Sequence, residues 1–304
     1  MSRVLVTGGC GFIGAGVVQR LTREGASVVV VDDLSSGVAA RLAPEAQLVE
    51  ASVLNHEVMA REIASADAVV HLAAIASVER CQADPIYSHR VNQGAFVEIL
   101  TLVRKRDGVP LIYASSAAVY GNHAPSRGIS EADRAVPISN YGADKLAMEL
   151  QARAAFALWG TSSVGLRFFN VFGPGQNPDS SYSGVITRFI GDLTRTGQLT
   201  IHGDGQQTRD FVHVDDVVDA VVLALRSGLK GAPVFNVCTG VGTTILDLKA
   251  AVEAVGGLTA QVSFAPSRPG DIRRSVGDGR RAAKALGFRP RRSLQDGLST
   301  LFAP

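Results

Sequence analysis

The residues with the clearest chemical potential are a tyrosine and a lysine four positions apart. Tyr141 and Lys145 lie in the sequence YGADK, within a stretch whose apolar spacing predicts a helix over 141–159. Residues four apart share one helix face, so the Lys145 ammonium can act on the Tyr141 phenol. A free tyrosine has a pKa of about 10, and bringing it near 7 takes ~4 kcal/mol, which nearby positive charge can supply. The pair predicts a tyrosine general base, although the same spacing also occurs by chance on surface helices.

A serine is placed to join this pair. Ser116 ends the run YASS at the end of a β-type stretch. Ligands of open α/β sheets bind at the carboxyl ends of the strands. We therefore expect Ser116 to reach the same site and to hydrogen-bond the hydroxyl that reacts.

A glycine-rich loop near the start of the chain predicts a phosphate site. Gly8, Gly11 and Gly14 form the pattern GxxGxxG between a β-type run and a helical one. Glycine lets the backbone approach a pyrophosphate closely, and the helix N-terminus offers free N–H groups and a partial positive charge. Eighteen residues past Gly14, the second predicted strand ends in Asp32 and Asp33, whose carboxylates can bind a ribose. This order predicts a dinucleotide site, and it favours NAD over NADP because a carboxylate would repel a 2′-phosphate.

The elements that must position these residues alternate between strand and helix. The predicted strands are 4–7, 28–32, 47–50, 68–72, 111–114 and 163–168, and the predicted helices are 12–24, 86–106 and 141–159. This alternation predicts an α/β fold with a parallel sheet. After Phe169 a loop rich in Gly, Pro, Asn and Ser runs from Gly173 to Gly184, so we expect two domains, 1–169 and 170–304. Residues 211–238 read as strand, helix and strand, and we expect them to pack back onto the first domain.

The composition excludes several classes of protein. The chain has 304 residues, of which 46% are hydrophobic and 19% charged, so it is long enough for two domains and too apolar for a disordered chain. A formal net charge of +2 gives no reason to expect nucleic-acid or membrane partners. The chain has three dispersed cysteines without metal-ligand spacing, no signal-peptide core and no apolar run of about 20 residues. Together these features predict a cytoplasmic protein without a metal.

Ordered motifs run along nearly the whole chain, from Val4 to Leu301. They are TGGCGFIG, VDDLSSG, HLAA, SSAAVYG, SNYGADK, LRFFNVFGPGQNP, GDGQQTRDFVHVDDV and RPGDIRRS. Through these motifs the chain resembles the extended short-chain dehydrogenase/reductase family and, within it, the NAD-dependent nucleotide-sugar 4-epimerases. The resemblance implies a Rossmann-type doubly wound sheet that binds NAD in the first domain. It also implies a smaller C-terminal α/β domain that binds a nucleotide sugar.

The resemblance implies a role for each site residue. Tyr141 is the base, Lys145 its pKa partner and a ribose anchor, and Ser116 the contact to the substrate hydroxyl. The residues implied to bind NAD are Gly8, Gly11, Phe12, Ile13, Gly14, Asp32, Asp33, Leu34, Ser35, Ser36, Gly37, Ser52, Val53, Leu72, Ala73, Ala74, Ala76, Asn92, Tyr141, Lys145 and Phe169. Relatives usually have Gly-Asp where this chain has Ala51-Ser52, so adenine recognition lacks the usual charge.

The acidic residues that this chain lacks, compared with related enzymes, narrow the choice of reaction. Related dehydratases carry Thr-Asp-Glu, and related decarboxylases a glutamate, where this chain has Ser116, Ala117 and Ala118. Elimination of water or carbon dioxide would lack its acid or base. Epimerisation at C4 needs only oxidation by bound NAD+, rotation of the 4-keto sugar and return of the hydride to the opposite face. The resemblance and the alanines together imply an NAD-dependent 4-epimerase of UDP-glucose and UDP-galactose.

The resemblance also assigns residues to the nucleotide sugar. Arg209 and Arg268 are implied to clamp the diphosphate, a task that suits guanidinium forks, and Asn170 lies near the diphosphate and sugar. Ser275 is small enough to leave room for a 2-acetamido group, so UDP-GlcNAc and UDP-GalNAc are candidate further substrates. The residues implied to bind substrate are Ser116, Asn170, Val185, His202, Arg209, Arg268, Asp271 and Ser275.

Other interpretations stay open at this point. An epimerase of UDP-glucuronate or of another nucleotide sugar is the first alternative. A non-catalytic NAD-sensing relative typically loses the tyrosine or the lysine, and this chain has both. An NADP-linked reductase is disfavoured by Asp32 and by the two arginine motifs. Relatives often dimerise through helices that match 86–106 and 141–159, so the resemblance implies a homodimer.

Overall fold

The structure is a computed structural model that describes residues 2–106, 108–123, 125, 127–176, 184–267 and 271–302. Arg268, one of the two predicted diphosphate clamps, lies outside the described residues. Residues 177–183, which belong to the loop predicted to connect the two domains, also lie outside them.

A parallel sheet of seven strands forms the centre of the fold. The strands of the chain are β1 (Arg3–Thr7), β2 (Ser27–Asp32), β3 (Gln47–Glu50), β4 (Ala68–His71), β5 (Leu111–Ser116), β6 (Ser163–Phe168), β7 (Asn170–Phe172), β8 (Gln198–His202), β9 (Thr208–His213), β10 (Val234–Val237), β11 (Gly242–Thr244), β12 (Gln261–Ala265) and β13 (Arg274–Ser275). The order in the central sheet is β10-β6-β5-β4-β1-β2-β3, and every neighbouring pair is parallel. The strand order reverses between β1 and β4, where ligands of such sheets bind. The predicted Rossmann-type doubly wound sheet is thereby confirmed.

The described residues form eleven α-helices, some of which cover the two faces of this sheet. They are α1 (Phe12–Arg23), α2 (His56–Ala64), α3 (Val78–Ala83), α4 (Pro85–His89), α5 (Ala95–Val103), α6 (Asn140–Trp159), α7 (Val185–Thr196), α8 (Val214–Arg226), α9 (Ile245–Gly256), α10 (Arg280–Leu286) and α11 (Leu294–Phe302). Alternate residues of β1 point to opposite faces: Val4 and Val6 pack with α1 and α8, whereas Leu5 packs with α2, α5 and α6. The valine-rich strands β1, β2 and β4 are buried on both faces, as is typical of parallel strands covered by helices on each side.

The helix predicted over 86–106 is interrupted. Helices α4 and α5 are joined by a wider, π-type turn at Arg90–Gly94, a feature that often occurs at functional sites. Asn92 lies in this turn, fully buried. Its amide accepts a hydrogen bond from Ile75 N at 2.8 Å and donates one to Ile75 O at 3.2 Å. The turn therefore anchors the segment that follows β4.

The later part of the chain contributes to the central sheet and also forms smaller sheets. Strand β10 pairs with β6, and α8 packs against α1. Strand β9 pairs in antiparallel fashion with β11 and in parallel with β7 and β13, while β8 pairs with β12. Helices α7, α9 and α11 pack together with β8 and β9 around a separate apolar cluster that includes Phe189, Leu248 and Leu298.

A buried ion pair ties α6 to the central sheet. Arg167 of β6 and Glu149 of α6 form two hydrogen bonds, of 2.8 and 2.6 Å, and their side chains are 4% and 0% exposed. Glu149 also accepts a hydrogen bond from the Ser115 hydroxyl at 2.6 Å. Arg167 Nη1 donates a hydrogen bond to the Tyr120 hydroxyl at 2.7 Å. That hydroxyl in turn donates to Asn236 Oδ1 of β10 at 2.7 Å.

Removing one partner of this pair should be costly. Glu149→Ala leaves the Arg167 guanidinium buried without its counter-charge, so we expect a loss of about 3–5 kcal/mol in the free energy of unfolding, measured by urea denaturation. Asp192→Ala is the matched control, because Asp192 pairs with Arg195 where both side chains are exposed, and it should cost less than about 1 kcal/mol. A loss below about 1 kcal/mol in Glu149→Ala would contradict this account.

Candidate active site

A cavity of about 510 Å³ lies at the carboxyl ends of β1, β2, β4, β5 and β6. Most of the predicted site residues line it: Gly8, Gly11, Phe12, Ile13, Gly14, Asp32, Asp33, Ser35, Ser36, Val53, Leu72, Ala73, Ala74, Ala76, Ser116, Tyr141, Lys145, Phe169 and Asn170. The described residues that were predicted for the site but do not line the cavity are Leu34, Gly37, Ser52, Asn92, Val185, His202, Arg209, Asp271 and Ser275.

The glycine loop is packed too tightly for side chains. Gly8 has a φ of +70°, and a Cβ there would lie 2.6 Å from Ala73 N. A Cβ on Gly14 would collide with the carbonyl oxygen of Gly8. Helix α1 begins after Gly11 with no side-chain cap and no acidic residue in its first turn. Its first N–H groups therefore stay available for an anion at the cavity wall.

Asp32 is held by the backbone around it. Its carboxylate accepts hydrogen bonds from Cys10 N and Leu34 N, each at 2.9 Å. A Cβ on Gly37 would lie 2.9 Å from Asp32 Oδ1, so Gly37 allows its segment to close over the carboxylate. Leu34 has a φ of +57°, an uncommon conformation for a residue other than glycine. Leu34 and Gly37 thus shape the surroundings of Asp32 rather than line the cavity.

Cys10 and Ser52 make internal contacts. Burial, aided by the charge of Asp32, raises the pKa of the Cys10 thiol to about 11, so this cysteine stays protonated and acts as a small buried side chain. The Ser52 hydroxyl accepts a hydrogen bond from Leu54 N at 3.2 Å.

Tyr141 and Lys145 lie on one face of α6, as their spacing predicts. Ser139 caps the helix by accepting a hydrogen bond from Gly142 N, and Tyr141 follows within the first turn. Lys145 Nζ lies 5.8 Å from the centre of the Tyr141 ring and donates to Ala114 O of β5 at 2.8 Å. Ser116 ends the same strand, and its hydroxyl accepts a hydrogen bond from Ala118 N at 3.1 Å. The cavity therefore brings Tyr141, Lys145 and Ser116 together.

Burial acts on the two ionisable groups in opposite directions. Desolvation raises the pKa of Tyr141 to about 12, and hydrogen bonding to Ser116 opposes this rise. Desolvation also lowers the pKa of Lys145 to about 8, against the charge of Asp144. A pKa near 7, which the sequence predicts only with the help of nearby positive charge, is not reached here because the loss of water outweighs the hydrogen bond to Ser116. Lowering the pKa of this phenol from about 12 to about 7 would take roughly 7 kcal/mol of favourable interaction with positive charge.

His71 is a buried neutral residue behind Lys145. Burial, together with the charge of Lys145, lowers the pKa of His71 to about 3. Its Nδ1 lies 2.7 Å from the Thr7 hydroxyl. The imidazole therefore supports the ends of β1 and β4 and does not titrate near neutral pH.

Five of the predicted substrate residues, Val185, His202, Arg209, Asp271 and Ser275, do not line the cavity. Arg209 donates to Asp271 Oδ1 at 2.5 Å and to Ile272 O at 2.5 Å. Ser275 pairs with Arg209 in the register of β13 and β9 and is 7% exposed. His202 Nδ1 lies 3.2 Å from Pro266 O, and Val185 begins α7. Arg209 would have to exchange its present partners to hold a diphosphate.

Fourteen of the described residues that line the cavity were not predicted as site residues from the sequence, and they include three with large polar or charged side chains that point to a role. Arg41, Arg80 and Tyr87 line the cavity from segments that follow β2 and β4. Their shared signal is position, because each comes within about 20 residues after the carboxyl end of a strand that reaches the site. Loops of this length fold in ways that spacing does not predict.

The described part of the chain shows neither a metal site nor a helix that could span a membrane. Its histidines, cysteines and carboxylates form no group that could hold a metal ion. None of its helices is both long enough and apolar enough to span a membrane.

The tight packing at Gly14 gives a test of the dinucleotide site. In Gly14→Ala the added methyl must displace Gly8 or the first turn of α1, so we expect loss of bound dinucleotide after gel filtration, measured by absorbance of the denatured supernatant. Gly191→Ala is the control, because a Cβ there meets no atom within 4 Å in a helix of the second half, and it should keep its dinucleotide. Retention by Gly14→Ala equal to that of the unaltered protein would show that the loop does not form the site.

Comparisons with known proteins agree with this geometry. The family model described as "NAD dependent epimerase/dehydratase family" matches residues 4–238. A UDP-glucose 4-epimerase of Mycolicibacterium smegmatis is 36% identical over 305 residues, covering 98% of this chain and 96% of the relative. The crystal structure of UDP-glucose 4-epimerase from Thermotoga maritima with UDP-glucose is similar at a TM-score of 0.93 and 36% identity, covering 98% of this chain and 96% of that one.

A third match carries a different substrate name. UDP-N-acetylglucosamine 4-epimerase from Methanobrevibacter ruminantium, in complex with UDP-N-acetylmuramic acid, is similar at a TM-score of 0.92 and 31% identity. The match covers 99% of this chain and 98% of that one. The glycine loop, the acidic strand end and the Tyr141–Lys145 pair thus occur in a chain that matches the family model over most of its length. This protein belongs to the NAD-dependent epimerase/dehydratase family.

Proposed function

We propose that this protein is an NAD-dependent 4-epimerase of UDP-sugars that interconverts UDP-glucose and UDP-galactose. One observation carries the proposal: the cavity presents Tyr141, Lys145 and Ser116 together, and Ser116 is followed by two alanines rather than by acids. Among the described residues that line the cavity, the only carboxylates are Asp32 and Asp33, at the end of β2. An elimination would therefore lack its acid or base, while a proton and hydride exchange at one carbon would not.

The residues of the cavity fit NAD. The crowding at Gly8 and Gly14 leaves a bare backbone surface, and the uncapped start of α1 suits a pyrophosphate. Asp32, fixed by two backbone N–H groups, suits the adenosine ribose. When bound, NAD supplies the acceptor and donor of the hydride.

Tyr141 handles the proton of the reacting hydroxyl. In its deprotonated form, the Tyr141 phenolate would take the proton from the sugar O4 as the hydride leaves C4 for the bound cofactor. The resulting phenol would return this proton to O4 when the hydride comes back to the opposite face of the rotated sugar. Lys145, fixed by Ala114 O, keeps positive charge next to the ring, and Ser116 orients the same hydroxyl. Because burial raises the pKa of Tyr141, a positive charge that enters the site would favour loss of the phenol proton.

The second half of the chain is proposed to bind the nucleotide sugar. We assign residues 1–169 to NAD and 170–304 to the UDP-sugar, with Arg209 and Arg268 on the diphosphate and His202 near the base. Val185, Asp271 and Asn170 are proposed to complete that site. Acceptance of UDP-GlcNAc and UDP-GalNAc is supported by the small side chain at Ser275 and by the N-acetylglucosamine epimerase with the same fold.

A homodimer in the cytoplasm is also proposed. Leu150, Phe156, Leu158 and Trp159 expose between 41% and 72% of their surface along α6, and Ile86 on neighbouring α4 exposes 76%. Such apolar exposure on adjacent helices is typical of a surface that is covered in an oligomer.

Epimerisation of UDP-glucuronate or of another nucleotide sugar remains the alternative. Such an enzyme would use the same base, serine and cofactor, and only the contacts to the sugar would differ. A panel of sugar nucleotides distinguishes the two. The non-catalytic alternative is disfavoured because Tyr141 and Lys145 are both present and both line the cavity.

The base can be tested by a conservative change. In Tyr141→Phe we expect turnover of UDP-galactose to fall about 100-fold or more, with NAD still bound, since only the hydroxyl is lost. Tyr113→Phe is the matched control, because Tyr113 is buried in β5 and its hydroxyl has no partner among the described residues, so its loss should leave turnover unchanged. Activity near that of the unaltered protein in Tyr141→Phe would rule out the assignment.

Ser275 can be tested as the residue that admits the acetamido group. In Ser275→Tyr, turnover of UDP-GlcNAc should fall more than that of UDP-glucose, because the larger side chain occupies the added space. Ser275→Ala, which keeps the volume small, should preserve the ratio of the two. Equal losses on both sugars in Ser275→Tyr, with the unfolding midpoint unchanged, would reject this role.

A further inference from the structure

Arg41 lies on the rim of the cavity, on the side of α1. It ends a single 3₁₀ turn, Ala39–Arg41, in the segment after β2, and it lines the cavity together with Asp33 and Ser36. The backbone of this turn is tied to α1, because Gln19 donates its side-chain amide to Arg41 O at 3.0 Å. Arg41 therefore projects from a fixed base beside the end of the cavity that would hold the adenosine and phosphates.

The Arg41 guanidinium reaches across to a loop from the second half of the chain. It donates a hydrogen bond to Gly175 O, in the loop that follows β7. A Cβ on Gly175 would lie 3.9 Å from both Arg41 Nη1 and Phe12 Cδ2, so this loop rests over the start of α1. The next residue, Gln176, accepts a hydrogen bond from Thr187 of α7 at 2.5 Å. One side chain thus joins the phosphate side of the cavity to the side proposed for the sugar.

We propose that Arg41 is a latch that retains NAD during turnover. This inference rests on the proposed function, in which one dinucleotide serves both halves of each epimerisation. Escape of the cofactor midway would leave the sugar oxidised and the enzyme without its hydride, so retention has a direct chemical purpose. The contact between Arg41 and Gly175 closes the rim through one hydrogen bond from a charged donor, which can open to admit NAD and then re-form.

The charge of Arg41 fits the same task. Among the described residues that line the cavity, the cations are Arg41, Arg80 and Lys145. Lys145 is committed to Tyr141 and Ala114 O, and Arg80 lies in α3 after β4. Arg41 is the cation on the segment after β2, next to the start of α1, so it can attract the phosphates as well as hold the loop.

Release of NAD from the holoenzyme tests the latch. Protein freed of unbound NAD is diluted into alcohol dehydrogenase and ethanol, which reduce each released NAD and report it as NADH. In Arg41→Met, which keeps the length of the side chain without its donors, release should be about tenfold faster or more. Arg41→Lys, which keeps the charge, should release NAD at an intermediate rate.

Arg23→Met is the matched control. Arg23 is exposed on α1, where it lines a separate groove next to Arg41, and it does not line the cavity. It should release NAD at the unaltered rate. Unchanged release of NAD in both Arg41 variants would overturn the latch alone. A wild-type protein that takes up no NAD would instead contradict the proposed function, and the latch with it.

Discussion

The site depends on the loss of water around Tyr141 and Lys145. Burial favours the neutral form of each group, so it raises the pKa of the phenol to about 12 and lowers that of the ammonium to about 8. At neutral pH the proton therefore stays on Tyr141, and Lys145 remains largely charged. A phenol with a raised pKa is a weak proton acceptor at neutral pH. The same desolvation that keeps Tyr141 protonated also makes its pKa sensitive to a nearby cation, because charges interact more strongly where water is excluded.

That dry environment is built from a helix and a strand locked together. Tyr141 and Lys145 stand on the first turns of α6, while Ser116 ends β5. One turn beyond Lys145, Glu149 accepts hydrogen bonds from the Ser115 hydroxyl and the Arg167 guanidinium in the interior. A buried pair of this kind contributes little net stability compared with apolar packing, but it accepts few alternative arrangements. Its effect is to fix how far along β5 the helix sits, and therefore where the phenol lies relative to Ser116.

The sequence predicted the parts of the protein whose physics is local. Strand β6 over 163–168 and helix α1 follow from periodicity and from the glycines that end the helices, and the Tyr141–Lys145 face follows from helix geometry. The π-type turn at Arg90–Gly94 could not be predicted, because it depends on Asn92 meeting the backbone of Ile75 across the fold. The rise in the Tyr141 pKa could not be predicted from the sequence for the same reason. Spacing shows which charge is near, whereas desolvation depends on everything packed around the group.

Charge is distributed along the cavity in a way that a net value of +2 conceals. Asp32 and Asp33 make the end of the cavity beside β2 acidic, whereas Arg41 and Lys145 add positive charge to its lining. An acidic pair suits ribose hydroxyls and disfavours a further phosphate, whereas a single arginine beside an uncapped helix suits the pyrophosphate. The Asp32 carboxylate already accepts hydrogen bonds from two backbone N–H groups. Its oxygens are held by these contacts and not by Arg41. The guanidinium is thus left to the carbonyl of Gly175 and to whatever anion enters beneath it.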